Sequence, residues 1–329
     1  MMNQDKLLQV KNLTTSFRVD GQYYAAVDDV SFDVNKDEVF AIVGESGCGK
    51  SAMALSLARL HNLNYTKLSG EIILGEQNLF ALGNDAMRKV RGNKIGFIFQ
   101  DPLTALNPLH RVGRQIEESL IYHTNLGPNE RKAHALELLT AVGMVDPERT
   151  YEAYPHELSG GMRQRVMIAI AISCDPDCLI ADEPTTALDV TIQAQILDLL
   201  TEIRNKTKQS MILITHDLGV VAEMADRVAV MYAGQIVETG TVLQIFENPK
   251  HPYTRSLLHS IPSATEEHEF LQTIQGIVPT LQELPRTGCR FAPRIPWIAP
   301  EEHETDPVYH EVEPGHKVLC TCFKTFRFE

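Results

Sequence analysis

The alternation of apolar and polar residues near the start of the chain predicts β-strands. Residues 7–19 and 27–34 alternate with a period of two, and the dipeptide Asp20-Gly21 between them is typical of a tight turn. Residues 39–43 form a short apolar run with β-branched members, which indicates a buried strand. The pattern therefore predicts two half-buried antiparallel strands followed by a strand in the core.

Farther along, strand and helix patterns alternate. Helical periodicity runs through 112–145, where Gly127-Pro128 interrupts it, and through 161–173, 190–206 and 218–225. Strands are predicted at 95–99, 178–181, 211–214, 227–231 and 235–238. Such alternation is typical of a parallel sheet covered on both faces. Beyond about residue 262 prolines increase and periodicity fades, so we expect a boundary near 255–265.

Composition narrows the class of protein. The chain has 329 residues, of which 43% are hydrophobic, and its net charge is −13. The hydrophobic fraction and the 22% of charged residues are ordinary for a soluble globular protein, and the lack of a basic stripe argues against a general nucleic-acid binder. No apolar run reaches the roughly 18 residues of a membrane span, and the first residues lack a signal-peptide layout. We therefore expect a cytosolic protein, with a peripheral membrane role open.

A glycine-rich segment between a predicted strand and a predicted helix carries the first chemistry. It fits the pattern G-x-x-x-x-G-K-[ST] with Gly44-Glu45-Ser46-Gly47-Cys48-Gly49-Lys50-Ser51. Glycines let consecutive backbone N–H groups face one anion, and the helix start adds a partial positive charge. The pattern predicts that Lys50 bridges the β- and γ-phosphates of a nucleotide and that Ser51 ligates Mg²⁺.

An apolar strand that ends in two carboxylates supplies a second element. Asp182 and Glu183 follow the run 178–181, and strand ends of this kind face the ligand crevice of a parallel sheet. Asp182 is predicted to hold Mg²⁺, directly or through water. Glu183 is predicted to orient or deprotonate the attacking water.

A second segment typical of an anion-binding helix start indicates which family the chain resembles. Residues 158–165 read LSGGMRQR, in which Ser-Gly-Gly precedes a helix. With the phosphate loop and the acidic strand end, the chain resembles the ATPase subunits of ABC transporters. The resemblance implies that Ser159, Gly160, Gly161 and Gln164 bind the γ-phosphate of ATP held by an opposing subunit, and that two subunits sandwich two nucleotides head to tail.

The same resemblance assigns further roles. Gln100 matches the glutamine that reaches Mg²⁺ and the attacking water, and His216 matches the histidine that contacts the γ-phosphate. Asp189 lies in the loop that crosses the dimer. Phe17 matches the aromatic residue that stacks on adenine, with Tyr24 as the alternative because the hairpin register is uncertain.

The resemblance also implies the fold and its division. We expect the P-loop ABC ATPase fold, which is an α/β fold with a RecA-like parallel-sheet core, an antiparallel β subdomain and a helical subdomain. The nucleotide-binding domain is expected over 1–258, with its helical subdomain at about 103–165. A small irregular C-terminal extension is expected over 259–329.

Longer strings narrow the family to one group. Residues 154–157 (YPHE), 182–196 (DEPTTALDVTIQAQI) and 248–254 (NPKHPYT) resemble the oligopeptide/dipeptide importer ATPases, a group that also contains nickel importers. The resemblance implies two integral-membrane permease subunits, a homologous second ATPase in a heterodimer, and an extracellular substrate-binding protein. It places the chain peripherally at the cytoplasmic face of a prokaryotic cell membrane. The alternatives are import of nickel or another small solute and, more remotely, a soluble non-transport ABC ATPase.

The C-terminal cysteines depart from the group's pattern. Many members carry four cysteines there, and in some these hold an iron–sulfur cluster. Here Cys289 and Cys320 match the first and last, whereas Ile295 occupies the second position and Glu302-His303 stands in the region of the third. We therefore predict no iron–sulfur cluster, since a cubane cluster normally needs four thiolates.

Another metal site is the alternative at these cysteines. Cys322 is an additional thiol, and a zinc site is conceivable if one histidine completes Cys289, Cys320 and Cys322. Three histidines remain open for that role, namely His303, His310 and His316. The favoured interpretation is free or adventitiously paired thiols, because the Cys-x-Cys spacing departs from the usual zinc spacings.

Overall fold

The computed structural model describes residues 6–186, 188–260 and 276–326. Its strands are β1 (Lys6–Val19), β2 (Gln22–Asn35), β3 (Val39–Val43), β4 (Thr66–Leu74), β5 (Gln77–Asn78), β6 (Ile95–Ile98), β7 (Cys178–Asp182), β8 (Ser210–Thr215), β9 (Arg227–Tyr232), β10 (Gln235–Thr241), β11 (Tyr309–Glu313) and β12 (His316–Leu319). Its helices are α1 (Lys50–Leu57), α2 (Asn84–Val90), α3 (Pro102–Ala105), α4 (Val112–His123), α5 (Pro128–Ala141), α6 (Pro147–Glu152), α7 (Gly160–Ile172), α8 (Val190–Thr207), α9 (Leu218–Met224), α10 (Val242–Glu247) and α11 (Pro252–His259). Among the described residues, no helix has the length and apolar character that crossing a membrane requires.

Two compact units make up the chain. The first unit comprises the described parts of Met1–Leu8, Val34–Glu38 and Ile73–Ile214. The second unit comprises the described parts of Gln9–Asp33, Val39–Ile72 and Thr215–Glu329. Each unit buries apolar side chains of its own.

In the first unit, a carboxylate lies at the carboxyl end of a group of parallel strands. β6 pairs in parallel with β7, and β7 with β8, so that Asp182 lies opposite Ile214 at the carboxyl end. All residues of β7 and β8 are buried, as expected for strands covered on both faces. Gly96 lets α7 approach β6, because a Cβ there would lie 2.3 Å from the carbonyl oxygen of Ala171.

Helices form the rest of the first unit. α4, α5 and α6 pack on one another, and α4 and α5 also pack on α7. Gly113 permits the contact of α4 with α6, since a Cβ there would lie 2.3 Å from the ring of Tyr151. α4, α5 and α6 fall within the range of about 103–165 predicted for the helical subdomain, whereas α7 runs past its end. The bounds stay a prediction.

The second unit contains a mixed group of strands around the phosphate loop. β3 pairs in parallel with β9, and β9 pairs antiparallel with β10. β10 also pairs antiparallel with β12, which in turn pairs with β11. β1 lies between β2 and β4 in a separate sheet. β3 is buried throughout, so the loop that follows it starts from a fixed position.

The described part of the C-terminal extension shares the core of the second unit. The ring of Phe291 lies 5.2 Å from that of Tyr232 and 5.4 Å from that of Tyr253, and Ile295 and Ile298 belong to the same cluster. The predicted boundary at 258/259 falls in the last turn of α11, and residues 261–275 lie outside the described part of the chain. The domain bounds therefore stay a prediction.

Most predicted elements are present, and the differences have local causes. β2 begins at Gln22, five residues before the predicted start, because the turn at Asp20-Gly21 leads directly into it. β4 was not predicted, since Gly70 interrupts its apolar pattern. β11 and β12 were not predicted either, because β11 is an acidic strand with no buried residue.

Candidate functional site

The phosphate loop of the second unit depends on three glycines with positive φ. Gly44, Gly47 and Gly49 have φ values of 156°, 80° and 107°. A Cβ on Gly44 would lie 2.1 Å from the carbonyl oxygen of Met231, and one on Gly49 would lie 2.5 Å from that of Ala26. The loop therefore curls tightly against the strands beside it, and larger residues are excluded at these positions.

Lys50 closes this loop from the first position of α1. Lys50 is 4% exposed, and its Nζ donates to the carbonyl oxygens of Gly44 at 2.6 Å and Glu45 at 3.0 Å. Ser51 follows in the first turn of the helix. Cys48 is buried beneath the loop, and burial raises the pKa of its thiol. The ammonium group and the helix start thus converge where a phosphate would bind.

Two side chains from the end of the chain hold Glu45 of this loop. The Glu45 N–H donates to the Tyr253 hydroxyl at 2.8 Å, and Arg294 donates to both carboxylate oxygens at 2.6 and 3.2 Å. Neither residue was predicted to serve the site. Tyr253 belongs to the string 248–254 that carried the resemblance, whereas Arg294 does not, and a contact over 208 or 249 residues of sequence leaves no local pattern.

In the first unit, the acidic strand end forms a compact hydrogen-bonded group. Asp182 is 4% exposed at the end of β7. Glu183 follows with φ 46°, an uncommon value for a side-chain-bearing residue. Its Oε2 accepts hydrogen bonds from Gln100 Nε2 at 2.9 Å and Thr186 Oγ1 at 2.8 Å. The structure thus brings together Gln100 and Glu183, which the sequence analysis placed in one site, and adds Thr186.

The Ser-Gly-Gly signature begins α7 in the same unit. Ser159 is the N-cap, and its hydroxyl accepts from the Met162 N–H at 3.3 Å. Gly161 has no room for a side chain unless Ile192 moves, because a Cβ on Gly161 would lie 2.8 Å from Cγ2 of Ile192. Gly160 is more open, with Leu188 3.8 Å from the position of a Cβ.

Gln164 and Asp189 have structural contacts within the first unit. Gln164 is buried, and its Nε2 donates to the Pro184 carbonyl at 2.6 Å, one residue after Glu183. Asp189 is the N-cap of α8 and accepts from the Ile192 N–H at 3.0 Å. The role in a neighbouring subunit's ATP site stays a prediction for both.

His216 is exposed, directly follows the last residue of β8 and belongs to the second unit. The next residue, Asp217, caps α9 by accepting from the N–H groups of Gly219 and Val220. This cap fixes the turn that carries His216, whose contact with phosphate stays a prediction.

Neither aromatic candidate for adenine stacking is favoured by the geometry. Phe17 is half-buried on β1, with its ring edge-to-face with His61 at 5.3 Å. Tyr24 is half-buried on β2, and its hydroxyl donates to Gln22 at 3.1 Å. Both alternatives stay open.

Comparison with known proteins decides the family. The ABC transporter family matches residues 27–186, and the oligopeptide/dipeptide transporter C-terminal region matches residues 237–297. The oligopeptide transport ATP-binding protein OppD of Lactococcus lactis subsp. cremoris (strain SK11) is 49% identical over 328 residues, which cover 99% of this chain and 97% of that protein. The chain belongs to the ABC transporter family.

Other relatives of this ABC ATPase agree. The oligopeptide transport ATP-binding protein AppD of Bacillus subtilis (strain 168) is 49% identical over 319 residues, 97% of each chain. A solved dimeric structure of the ATP-binding cassette MJ0796 bound to ADP and Pi has a TM-score of 0.64 at 29% identity, and it covers 71% of this chain and 98% of that one. The predicted fold and the ATP-hydrolysing activity are thereby confirmed.

Proposed function

We propose that this ABC ATPase powers the import of oligopeptides or dipeptides into a prokaryotic cell. The observation that carries the proposal is the oligopeptide/dipeptide transporter C-terminal region at residues 237–297. Tyr253 and Arg294 of this region contact Glu45, so the region typical of the group is part of the phosphate loop's surroundings. Relatives named for oligopeptide transport match nearly the whole chain.

In this proposal the phosphate loop binds ATP. The backbone N–H groups of residues 44–51 and the Lys50 ammonium hold the phosphates, since both present positive charge at the start of α1. Phe17 or Tyr24 stacks on adenine. His216 contacts the γ-phosphate from the turn that Asp217 fixes.

Mg²⁺ and the attacking water complete the reaction. Ser51, Gln100 and Asp182 offer a hydroxyl, an amide and a carboxylate, which are the oxygen ligands that Mg²⁺ prefers, and the ion when bound neutralises charge on the phosphates. Glu183 accepts a proton from the water as general base. Hydrogen bonds from Gln100 and Thr186 to its Oε2 hold this carboxylate in one orientation.

A second ATPase contributes the other half of each site in the proposed complex. Ser159, Gly160, Gly161 and Gln164 bind the γ-phosphate of ATP on the partner, and Asp189 lies in the loop that crosses the dimer. ATP favours the closed pair because both halves contact it, and loss of phosphate removes that difference in affinity.

The proposed complex contains two integral-membrane permeases, a homologous second ATPase and an extracellular binding protein. The chain then lies at the cytoplasmic face of the membrane as a peripheral subunit without nucleic-acid contacts. Closing of the ATPase pair drives the permeases to their outward-facing form, and opening returns them.

Transport by the complete complex reconstituted in proteoliposomes tests the proposal. We expect ATP-dependent uptake of a labelled peptide, and no uptake of peptide with Glu183→Gln. Uptake of Ni²⁺ without uptake of peptide would overturn the peptide assignment. A chain that fails to co-purify with the permeases would overturn the transport role and point to a soluble ABC ATPase.

A further inference from the structure

Three cysteines and one histidine of the C-terminal extension meet in the second unit. Cys289, His303, Cys320 and Cys322 each present one ligand atom, and these four atoms all lie within 4.8 Å of one another. They come from three segments of the chain. Cys289 lies in the first, His303 directly follows the short 3-10 helix Pro300–Glu302, and Cys320 and Cys322 lie just after β12. A sulfur-rich group assembled from separate segments is the usual form of a structural metal site.

The structure selects one histidine from the three that the sequence left open. His310 Nε2 is paired with Glu304 at 2.8 Å, and His316 Nε2 with Glu238 at 2.7 Å. The Nδ1 atoms of His303 and His316 are both buried without a hydrogen-bond partner among the described residues, but of the three histidines only His303 has a ring nitrogen in the group within 4.8 Å. A buried ring nitrogen without a partner is costly unless something binds it.

The three sulfurs lie close enough together to share one cation. They all lie within 4.8 Å of one another and of a His303 ring nitrogen. Thiolates at this spacing repel one another, and a bound divalent ion removes that repulsion.

Local backbone geometry supports the same arrangement. Cys320 has φ 75°, which a residue with a side chain rarely adopts. Its N–H donates to the Val308 carbonyl at 3.1 Å, which fixes this turn. Strained backbone held by surrounding contacts is common at functional positions.

The donor set does not fit an iron–sulfur cluster. Ile295, at the position of the group's second cysteine, is buried in the apolar core. A cubane cluster binds each cysteine to a different iron, which spreads the four donors around a cage. Around one tetrahedral zinc ion the sulfurs stand about 3.8 Å apart, which follows from Zn–S bonds of about 2.3 Å. Four donors within 4.8 Å match the single ion.

We propose that Cys289, His303, Cys320 and Cys322 bind one tetrahedral divalent ion of the zinc class. This proposal takes up the zinc alternative of the sequence analysis, with His303 as the fourth donor, in place of the favoured interpretation of free or adventitiously paired thiols. The segment that supplies Cys289 also contacts the phosphate loop. Arg290, next to Cys289, binds the carboxylate of Asp28, and Arg294 binds Glu45.

Metal analysis of the purified full chain tests this proposal. The protein is prepared anaerobically without chelators, and zinc, iron and acid-labile sulfide are measured per chain. We expect about one zinc and no sulfide. After exchange with Co²⁺ alone, we expect the strong visible bands of tetrahedral cobalt with thiolate ligands. Four irons with sulfide, a disulfide found by mass spectrometry, or a chain without metal would each overturn the proposal.

Substitutions locate the ion. Cys322→Ser and His303→Ala are expected to lower the zinc content or to raise the dissociation constant for Zn²⁺ at least tenfold against a competing chelator. Cys174→Ser changes a half-buried thiol outside the cluster and is expected to leave both quantities unchanged. Equal zinc binding by all three variants would contradict the site, and the cobalt spectrum of the unsubstituted chain remains decisive where a variant fails to fold.

Discussion

The ion pair between Glu45 and Arg294 is expected to stabilise the second unit together with its phosphate loop. The Arg294 side chain is 6% exposed and that of Glu45 25%, and two N–H···O bonds join them. Arg294 also donates to the Gly276 carbonyl at 3.1 Å and lies over the ring of Tyr232. The experiment compares the single substitutions Glu45→Gln and Arg294→Met with the double substitution that combines them.

The expected change in the free energy of unfolding follows from the burial and geometry of the ion pair. At a charge separation of about 4 Å and an effective dielectric constant of about 20, the Coulomb attraction is about 4 kcal/mol, and desolvation offsets part of it. We expect Arg294→Met to lower the free energy of unfolding by about 3 kcal/mol, because it leaves a mostly buried carboxylate without its partner. We expect the double substitution to cost about 2 kcal/mol less than the sum of the single ones.

The chain's one tryptophan provides the assay. Trp297 packs against the core of the second unit, so its fluorescence during urea unfolding reports on this unit. The matched control is the exposed pair Lys11–Glu71, whose side chains are 51% and 52% exposed at 3.9 Å, with an expected coupling below about 0.5 kcal/mol. A Glu45–Arg294 coupling no larger than that of the control pair would refute the reasoning.

Three further substitutions test other parts of the structure. Gly49→Ala is expected to reduce ATP affinity more than tenfold in a titration, because φ 107° and a carbonyl 2.5 Å from the new Cβ force the loop to move. Gln164→Ala is expected to lower the free energy of unfolding by about 1–3 kcal/mol in urea, since the buried Pro184 carbonyl loses its donor. His316→Ala is expected to cost about 1–3 kcal/mol by thermal unfolding, because Glu238, its fully buried partner, loses that contact and keeps only the N–H groups of Lys250 and His251. Changes below about 0.5 kcal/mol in the last two would contradict these contacts.

Local patterns sufficed to predict the elements to which we assign the ATP chemistry. The apolar run Val39–Val43 and the glycines after it determine a strand and a curled loop within a dozen residues. The run Cys178–Asp182 likewise predicts a buried strand with a carboxylate at its end. In both cases the information is local, since burial on two faces and the need for positive φ show directly in residue type.

The contacts that hold these elements could not be predicted in the same way. Arg294 and Glu45 are 249 residues apart, and nothing near either residue indicates the pairing. The choice of His303 over two other histidines depends on which of them already has a carboxylate partner. β4 was not predicted because Gly70 interrupts its apolar pattern. A glycine is needed there, since a Cβ would lie 2.4 Å from the carbonyl oxygen of Asn12. Such features follow from tertiary structure rather than from periodicity.

The rate of ATP hydrolysis after Glu183→Gln tests the central claim most directly. Glutamine keeps an oxygen that accepts from Gln100 and Thr186, so the local structure is retained while the proposed general base is lost. We expect the assembled complex to bind ATP normally and to hydrolyse it about 10²–10⁴ times more slowly. The control Glu202→Gln, with a side chain 66% exposed on α8, is expected to hydrolyse ATP at the unsubstituted rate. Hydrolysis by Glu183→Gln at that same rate would contradict the account.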